Sequence, residues 1–398
     1  MFEVTVLQKH LMDALNILAP TVGNNSQNLG DNCLSIEATN AGSVIMYTTN
    51  TIEFSRLELI VGSSNNQAGM APYVDFKRFM NLVKTIPETE HITIKQDGTN
   101  DITLEFQLKK QPIKLTGCNN GMIPLPSNQQ YQPQVEVPYD FLKEALDGAT
   151  SIIKDSESTP IYNCVRIYTD GPTIEVSGLD AATRRMFMAE GTATNHNPTC
   201  QTLVEASKLA KSLKLFTDYQ EVVFESSGAV VHVSGGTQKT GAAQKMGHIS
   251  NVEYYTRLIS GVYPPNIAQP IRAGSHEYVE INRDDLMAAI ARAKALEDTS
   301  IGQRTIQFDV IGSKVKVVLS SAFGSLEDEF NAISAVKKQI HSIFKYEYLS
   351  DIIKTITTDT VEIGSLPGYN GHYIVKPAGR TDMGFTIAEV VTAQSSTP

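Results

Sequence analysis

The sequence is poor in the residues that cross-link or anchor a chain. It contains no tryptophan and four cysteines, and no two cysteines have the Cys-x-x-Cys spacing of a zinc site. It has no run of about 18 apolar residues, which a membrane-spanning helix would require. The N-terminus begins at once with a strand-like pattern. We therefore expect a cytoplasmic protein with no disulfide framework, no bound metal, no cofactor and no membrane partner.

Patterns of catalytic residues are also missing. The eight histidines include no pair at the spacing of metal ligands, and no serine or cysteine lies in a nucleophile elbow. The segment GGTQKTGAAQK (235–245) has the glycines of a phosphate-binding loop but lacks its Gly-Lys-Ser/Thr ending. These absences predict a protein that is not an enzyme.

Positively charged residues are also fewer than negatively charged ones. Asp and Glu number 43 against 33 Lys and Arg, which gives a net charge of −10. A protein that lies against nucleic acid generally needs a basic face. The total therefore argues against such a partner unless the basic residues are gathered on one surface.

A repeated segment is the most informative feature that the sequence does have. Three stretches align without a gap: EVTVLQKHLMDAL (3–15), QVEVPYDFLKEAL (134–146) and YVEINRDDLMAAI (278–290). Each is typical of a short alternating strand followed by an amphipathic helix. They lie about a domain length apart, which is too far for a solenoid repeat. Copies of one domain joined in similar ways favour an arc or a closed ring.

A second helix keeps the same register in each copy. These helices are predicted at 74–86, 204–216 and 344–356. Alternating strands such as 92–98 and 101–108 indicate antiparallel sheets. Cys33 and Cys164 occupy equivalent strand positions, and we expect both to be buried thiols.

The combined pattern predicts an α+β fold with three tandem copies of one domain, in which helices cover one face of antiparallel sheets. The domains are predicted at 1–128, 134–265 and 276–380, followed by a C-terminal extension at 381–398. The boundaries lie in the stretches 124–134 and 263–275, whose proline, glutamine and asparagine content is typical of linkers.

The scarce positive charge is concentrated on the predicted second helices. Together they carry eight basic residues against four acidic ones. Apolar residues such as Phe76, Phe79 and Val83 must pack on a sheet, which leaves the basic residues on the opposite face. A solvated helix face is the simpler interpretation of any single lysine, but the enrichment recurs in all three copies. Basic helices lining the inside of an arc would reconcile the net charge with a nucleic-acid partner.

Several segments carry a family likeness: EVTVLQKHLMDAL, PYVDFKRFMNLVKTIPETEHITIKQDG, IKLTGCNNGMIPLP and GHYIVKP. Together with the repeats, from residue 2 to about 379, they resemble the bacterial β sliding clamp, the DNA polymerase III beta subunit, as a divergent, phage-type or plasmid-type member. The resemblance implies half of a closed ring, formed as a head-to-tail homodimer that surrounds double-stranded DNA without reading its sequence. It also implies that the replicative DNA polymerase, the clamp loader and clamp-binding motif proteins are partners, and that the protein is nucleoid-associated.

A sliding ring needs diffuse attraction to phosphates, which flexible lysines on helices supply better than bidentate contacts. The candidate DNA-facing residues are Lys9, Lys77, Arg78, Lys84, Lys143, Lys154, Lys208, Lys211, Lys214, Arg283, Lys294, Lys345 and Lys354.

The resemblance implies two further sites. A hydrophobic pocket for partner peptides would involve Tyr162, Asp180, Arg184, Arg185, Met186, Tyr263, Pro264, Tyr348, Ile374, Val375 and Pro377. The loop beginning at Asp180 is longer than the usual family turn, so the accepted motif is expected to differ. The dimer interface would involve Ile113, Leu115, Ala295 and Leu296. Ile113 and Leu115 fit an ordinary core strand equally well.

Two alternatives stay open. The residues from about 381 continue past the expected last strand, and a partly ordered extension is favoured over a strand or a cover for the pocket. The protein as a whole could instead be a ring- or arc-shaped interaction scaffold that encloses no DNA. Whether the basic helices share one concave face separates the two functions.

Overall fold

The computed structural model describes residues 2–23, 30–50, 52–62, 67–96, 100–108, 111–118, 130–154, 159–239, 247–296 and 304–390. The α-helices are α1 (Gln8–Leu18), α2 (Phe76–Lys84), α3 (Tyr139–Ile152), α4 (Ala206–Ser212), α5 (Gln269–Ala273), α6 (Arg283–Ala295) and α7 (Tyr346–Thr355). Short 3₁₀ helices lie at Ala19–Thr21, Pro160–Asn163 and Leu213–Phe216. None of the described helices is both long enough and apolar enough to cross a membrane.

The strands are β1 (Phe2–Leu7), β2 (Cys33–Ala38), β3 (Ser43–Thr49), β4 (Phe54–Ile60), β5 (Gly69–Met70), β6 (Val74–Asp75), β7 (His91–Gln96), β8 (Asp101–Glu105), β9 (Ile113–Thr116), β10 (Gln132–Pro138), β11 (Cys164–Asp170), β12 (Thr173–Asp180), β13 (Arg185–Thr192), β14 (Asn195–His196), β15 (Thr199–Glu205), β16 (Glu221–Ser227), β17 (Val230–Gly235), β18 (Ile249–Arg257), β19 (Val279–Asn282), β20 (Thr305–Ser321), β21 (Gly324–Lys345), β22 (Thr360–Ser365), β23 (His372–Pro377) and β24 (Met383–Ala388).

The three predicted strand-to-helix segments are confirmed as β1–α1, β10–α3 and β19–α6. Alternate residues of β1, from Phe2 to Val6, are buried, and burial switches to helical spacing in α1. Asn282 starts α6, because its side chain accepts hydrogen bonds from the backbone nitrogens of Asp284 and Asp285 (2.9 and 3.1 Å). The residue pattern therefore specifies both the elements and where α6 begins.

The second helices are α2, α4 and α7. Asp75 caps α2 by accepting a hydrogen bond from the backbone nitrogen of Arg78 (2.8 Å). In the second copy, the helix predicted at 204–216 begins at Ala206 and changes into the 3₁₀ helix Leu213–Phe216. The predicted helices are thus confirmed, with the middle one shorter than expected.

The chain divides into two compact units. The first comprises Met1–Asp140, Ala193–Pro198 and Lys211–Leu258, and the second comprises Phe141–Thr192, Thr199–Ala210 and Ile259–Pro398. This division does not follow the three predicted domains, whose boundaries remain a prediction. Of the first predicted linker, residues 124–129 lie outside the described residues, and residues 132–134 belong to β10.

The first unit contains two antiparallel sheets. One has the strand order β1-β7-β8-β9, and the other has the order β14-β10-β16-β17-β18-β4-β3-β2-β5 with β6 beside β2. The predicted hairpin is confirmed as β7 and β8, with Thr93 opposite Glu105. Strand β18 pairs with β4, and Arg56 and Glu253 form an ion pair (2.8 Å) across them. Residues from the first and second copies therefore share one sheet.

The second unit is built on an antiparallel eight-stranded sheet with the order β15-β11-β12-β13-β24-β23-β22-β19. In the pairing of β13 with β24, Phe187 lies opposite Phe385, and the ring centres are 4.9 Å apart. The long strands β20 and β21 pair with each other, and their register shifts around Gly312. Gly312 has a φ of +60°, which glycine adopts without a Cβ penalty.

The favoured expectation of a partly ordered extension from residue 381 is wrong for Met383–Ala388. These residues form β24, which lies inside the eight-stranded sheet with a neighbour on each side. Met383, Phe385 and Ile387 are at most 1% exposed. The segment GHYIVKP contains β23, and β24 follows it. The physical reason is burial, because two flanking strands cover the apolar side chains of β24 and pair its backbone.

The predicted linker 263–275 is packed against the sheet of the second unit. It contains α5, on which Ile271 is 5% exposed. Arg272 of α5 forms ion pairs with Glu175 (2.7 Å) and with Glu190. This segment is therefore a fixed structural element, which its proline and asparagine content did not indicate.

The two equivalent cysteines are buried as predicted. Cys33 is 1% exposed and Cys164 is fully buried. Burial raises the pKa of each thiol to about 12. Because the thiolate is the reactive form of cysteine, neither side chain has the character of a nucleophile at neutral pH.

Candidate functional site

A groove between α1 and α2 in the first unit presents two of the candidate cations. Lys9 on α1 and Lys84 at the end of α2 line this cavity of about 570 Å³, as do Asp13 and Glu88. Both lysines are exposed, whereas Phe76 and Phe79 of α2 are buried beneath them. The prediction that the apolar stripe packs inward and the basic residues point outward is confirmed for α2.

The corresponding helix pair of the second unit, α6 and α7, forms another groove. Lys294 of α6 and Lys354 of α7 line it together with Lys154, which follows α3, and its volume is about 340 Å³. Lys154 and Lys354 also line an adjoining cavity of about 600 Å³. Two carboxylates, Glu347 and Asp351, line the groove as well, and Glu347 pairs with Arg304 (2.9 Å). Three flexible ammonium groups around one groove favour a polyanion held without a fixed register.

The remaining candidate cations differ in how far neighbouring groups engage them. The exposed ones on the second helices are Lys77, Arg78, Lys211 and Lys214. Lys208 pairs with Glu205 (2.6 Å), and Lys143 pairs with a carboxylate one turn along α3 (3.3 Å). Arg283 donates to the backbone oxygen of Ile356 (2.9 Å) at the end of α7. Its guanidinium therefore stabilises a helix terminus and is less available to an external anion.

The hairpin of β12 and β13 ends in a loop bordered by Asp180 and Arg185. One carboxylate oxygen of Asp180 accepts hydrogen bonds from Arg185 Nη2 (3.0 Å) and the Thr183 hydroxyl (2.6 Å). The other accepts from the backbone nitrogens of Ala182 (3.1 Å) and Thr183 (3.2 Å). Burial acts to raise the pKa of Asp180, but the hydrogen bonds from Thr183 and Arg185 outweigh it and hold the pKa below its ordinary value. Arg184 closes the loop with a φ of +54° and is exposed.

Arg185 is fully buried and lies over the ring of Tyr348, with its guanidinium carbon 4.1 Å from the ring centre. Its Nη2 also donates to the backbone oxygen of Ile152 (2.9 Å) at the end of α3. The ammonium groups of Lys154 and Lys345 lie 5.3 and 5.2 Å from the same ring centre. Three cations thus surround one aromatic ring, within the distance at which its quadrupole attracts them.

The other candidates for the peptide pocket are divided between core and surface. Tyr263, Ile374, Val375 and Pro377 are buried, whereas Tyr162 and Pro264 are half-buried. Met186 packs against two buried clusters, one containing Ile374 and the other Tyr263. The structure therefore brings Asp180, Arg185 and Tyr348 together beside Met186. The buried apolar candidates contribute to packing and offer no open surface in this conformation.

An ion-pair network that the sequence analysis missed ties the last two strands to α3. Arg380, between β23 and β24, pairs with Glu144 of α3 (2.6 Å) and with Asp382 (2.8 Å). Hydrogen bonds to Asp382 and Glu144 raise the pKa of Arg380 further, so this guanidinium stays charged. Glu144 is 236 residues away in the sequence. No local pattern points to a pair at that separation.

The candidate interface residues lie at element ends and edges. Ile113 and Leu115 are half-buried on β9, which ends the strand order of the four-stranded sheet. Ala295 is exposed at the end of α6, and the backbone oxygen of Leu296 accepts a hydrogen bond from the Ser321 hydroxyl (2.7 Å). Within the described residues, no group of three or more His, Cys, Asp or Glu side chains is placed to hold a metal ion.

Comparison with known proteins finds relatives that are named β sliding clamps. No protein-family profile matches the chain. A β sliding clamp from Streptococcus pneumoniae is 19% identical over 372 residues, which cover 91% of this chain and 92% of that protein. A β sliding clamp from Lactococcus lactis is 23% identical over 297 residues, which cover 72% of this chain and 71% of that protein.

Solved structures give the same result. The beta subunit of DNA polymerase from Streptococcus pyogenes superposes with a TM-score of 0.83 at 19% identity and covers 98% of this chain and 100% of that one. The DNA polymerase sliding clamp from Bacillus subtilis superposes with a TM-score of 0.82 at 16% identity, with 98% and 99% covered. The predicted resemblance to the bacterial β sliding clamp is confirmed, and the low identity fits the expected divergence. The chain has the β-clamp fold, which is a mixed fold of helices and sheets.

Proposed function

We propose that this protein is a non-catalytic DNA sliding clamp. Two copies would close head to tail into a ring of six domains around duplex DNA, and the ring would tether the replicative DNA polymerase. The names of the similar proteins and the shared fold support this function. Three tandem domains in each copy, at the boundaries predicted from the repeat, are part of the proposal.

The observation that carries the proposal is the recurrence of one feature in both units. The first and second helices of a copy form a groove, and lysines line it, with Lys9 and Lys84 in the first unit and Lys294 and Lys354 in the second. Lysines attract phosphates as point charges and do not form the bidentate fork that reads a guanine edge. Such grooves suit a protein that must stay on DNA of any sequence and still move along it.

Closure of the ring requires an edge from each end of the chain. We assign these edges to Ile113 and Leu115 on β9, and to Ala295 and Leu296 at the end of α6. Among the described strands, β9 ends its sheet, and the outer side of such a strand offers backbone groups to another chain. The resulting assembly would have two identical heterologous contacts, each head to tail, which close the ring after two copies.

Partner proteins would bind at the surface that carries Arg184, Met186 and Tyr348. These partners would include the replicative polymerase, the clamp loader and proteins with clamp-binding motifs. Arg184 is exposed there in a conformation that few non-glycine residues adopt, and such strained residues cluster at functional sites. The protein would act in the cytoplasm at the nucleoid.

The test is retention on closed DNA. Light scattering first checks that the particle has twice the chain mass of 43.5 kDa. The clamp, assembled on a nicked circular plasmid with its loader, should remain on the circle and leave after linearisation. Equal loss from circular and linear DNA would favour a scaffold that encloses no DNA.

Charge reversal locates the DNA-facing surface. The triple variant Lys84→Glu, Lys214→Glu and Lys354→Glu should lose most of its retention and processive synthesis while keeping its fold and mass. Each lost phosphate contact should also reduce the salt dependence of binding to a duplex by about 0.9 in the log–log slope. A control with Lys337→Glu and Lys338→Glu, two exposed strand residues, should behave like wild type. Unchanged retention in the triple variant would refute the assignment of the helix face.

A further inference from the structure

The ring of Tyr348 on α7 lies near side chains from two surfaces of the second unit. One surface is the groove of α6 and α7, which Lys154 and Lys354 line. The other is the turn Asp180–Met186, in which Arg185 lies over the Tyr348 ring at 4.1 Å. Lys154 lies 5.3 Å from the centre of that same ring. A single side chain therefore contacts cations that belong to the two different surfaces.

We propose that Tyr348 and Arg185 couple the binding of a phosphate backbone in the groove of α6 and α7 to the conformation of the turn Asp180–Met186. The inference rests on the proposed function, because it takes duplex DNA as the ligand of the groove and the turn as part of the partner site. It adds a regulation to that function: the partner site responds to whether DNA occupies the ring.

The driving force is the crowding of like charges. Lys154, Lys345 and Arg185 all approach one ring, and the attraction of its quadrupole is shared among cations that repel one another. A phosphate in the groove would neutralise Lys154 and draw it away from Tyr348. The repulsion acting on Arg185 would then fall, and its contact with Tyr348 would strengthen.

The hydrogen bonding of Arg185 leaves its position sensitive to the loss of repulsion from Lys154. Its Nε donates to the Thr183 hydroxyl (2.9 Å), and its Nη2 donates to Asp180 (3.0 Å) and to the backbone oxygen of Ile152 (2.9 Å). Its Nη1 is buried without a hydrogen-bond partner among the described residues. Because one edge of the guanidinium is not anchored, the stacking on Tyr348 carries a large share of what fixes its position.

Amide exchange in the turn Asp180–Met186 should report how firmly Arg185 is held. The backbone nitrogens of Ala182 and Thr183 donate to the carboxylate of Asp180, which Arg185 holds. A more firmly held Asp180 would protect these two amides from solvent exchange. The coupling is positive. By thermodynamic reciprocity, a partner that stabilises the turn would raise the affinity for DNA by the same factor.

Hydrogen–deuterium exchange of the intact protein tests the coupling. A short duplex of random sequence is added at saturating concentration and low ionic strength, and exchange is followed in the peptide that contains Ala182 and Thr183. We expect exchange to slow by about 5-fold, the lower end of couplings measured in allosteric proteins. Lys154→Ala and Tyr348→Leu should abolish this response, and Tyr348→Phe, which keeps the ring, should retain most of it.

Lys338→Ala is the matched control, because Lys338 is an exposed lysine of β21 in the same unit and is not one of the cations that lie near the Tyr348 ring. At saturating duplex it should keep the wild-type response. An unchanged exchange rate in wild type, or an equal response in Lys154→Ala, would overturn the inference. If Tyr348→Leu fails to fold, the exposed Lys154 variant decides alone. Failure of the proposed function appears separately, as loss of retention on the nicked circle.

Discussion

A chain that ends at Arg380 lacks β24, and its second unit should not fold. Met383, Phe385 and Ile387 of this strand are at most 1% exposed. Burial of such a side chain contributes about 1.5–3 kcal/mol, so the three contribute about 5–9 kcal/mol together. The cut also leaves the facing backbone groups of β13 and β23 unpaired. A native domain is stable by only about 5–15 kcal/mol, so the loss is comparable with its whole stability.

A point substitution gives a graded form of the same test. Phe385→Ala empties a site whose ring packs against Phe187 at 4.9 Å. Such a substitution in a core costs about 3–5 kcal/mol in the free energy of unfolding. Phe323→Ala is the matched control, because Phe323 is 70% exposed. Its cost should stay within about 0.5 kcal/mol.

The assay is guanidinium denaturation followed by circular dichroism, with limited proteolysis to identify the unit that opens first. A chain ending at Val390, which keeps every described strand, should match the full-length protein. Two results would refute the reasoning: a chain ending at Arg380 with an unchanged midpoint, or a cost for Phe385→Ala below about 1 kcal/mol, far less than a buried ring should cost.

Three further predictions concern buried residues of the second unit. Arg185→Met removes one partner of a buried ion pair and should destabilise the protein by about 3–5 kcal/mol in urea denaturation, and adding Asp180→Asn should recover part of that loss; no recovery would mean that the pair is not the cause. The pKa of Asp180 is lowered in the folded state, so its contribution to stability is complete above its unfolded pKa of about 3.9 and is lost as the pH falls through its folded pKa. The stability difference between wild type and Asp180→Asn should therefore shrink below about pH 4, and a difference that is constant with pH would contradict this origin. Gly148→Ala would place a Cβ 2.3 Å from the Phe187 ring, so the melting temperature should fall although alanine normally favours a helix by about 1 kcal/mol; a rise would show that Phe187 moves aside freely.

Local patterns predicted the helices and strands of this fold well, because the spacing of apolar residues within each repeated segment indicates its secondary structure. Burial changes from alternate residues in β1 to helical spacing in α1, and the order of apolar and polar residues in the sequence shows the same change. Asn282 caps α6 through local hydrogen bonds, so that helix start needs no tertiary contact. The lysines of α2 could be placed on its outer face for the same reason, since the apolar stripe fixes which face is buried.

The errors concern features that depend on distant partners. The residues of β24 have the composition of a strand, but its place in the sheet depends on β13, about half the chain away. The linker that contains α5 is rich in proline, yet Arg272 holds it to Glu175 across 97 residues. The meeting of Arg185 with Tyr348 also depends on distant residues, but the family resemblance had placed both in one site, which neither residue's neighbours in the sequence indicate. Periodicity specifies which face of an element is apolar, and it does not specify what covers that face.

The net charge was the observation that argued most strongly against DNA, and the structure shows why it is a poor guide here. On the paired strands β20 and β21, Lys314 pairs with Glu329 and Lys316 with Glu327, each at 2.7 Å, so strand cations are neutralised locally by strand carboxylates. Lys84 and Lys354 of the helix grooves are exposed as well, but they form no ion pair with any of the described residues. At physiological salt a charge is screened within about 8 Å. A phosphate in a groove would therefore respond to the lysines and the two carboxylates that line it, and hardly at all to charges farther away. An acidic chain can hold DNA provided that lysines outnumber carboxylates at the surface that faces it. In the groove of α6 and α7, three lysines lie beside two carboxylates, of which Glu347 pairs with Arg304.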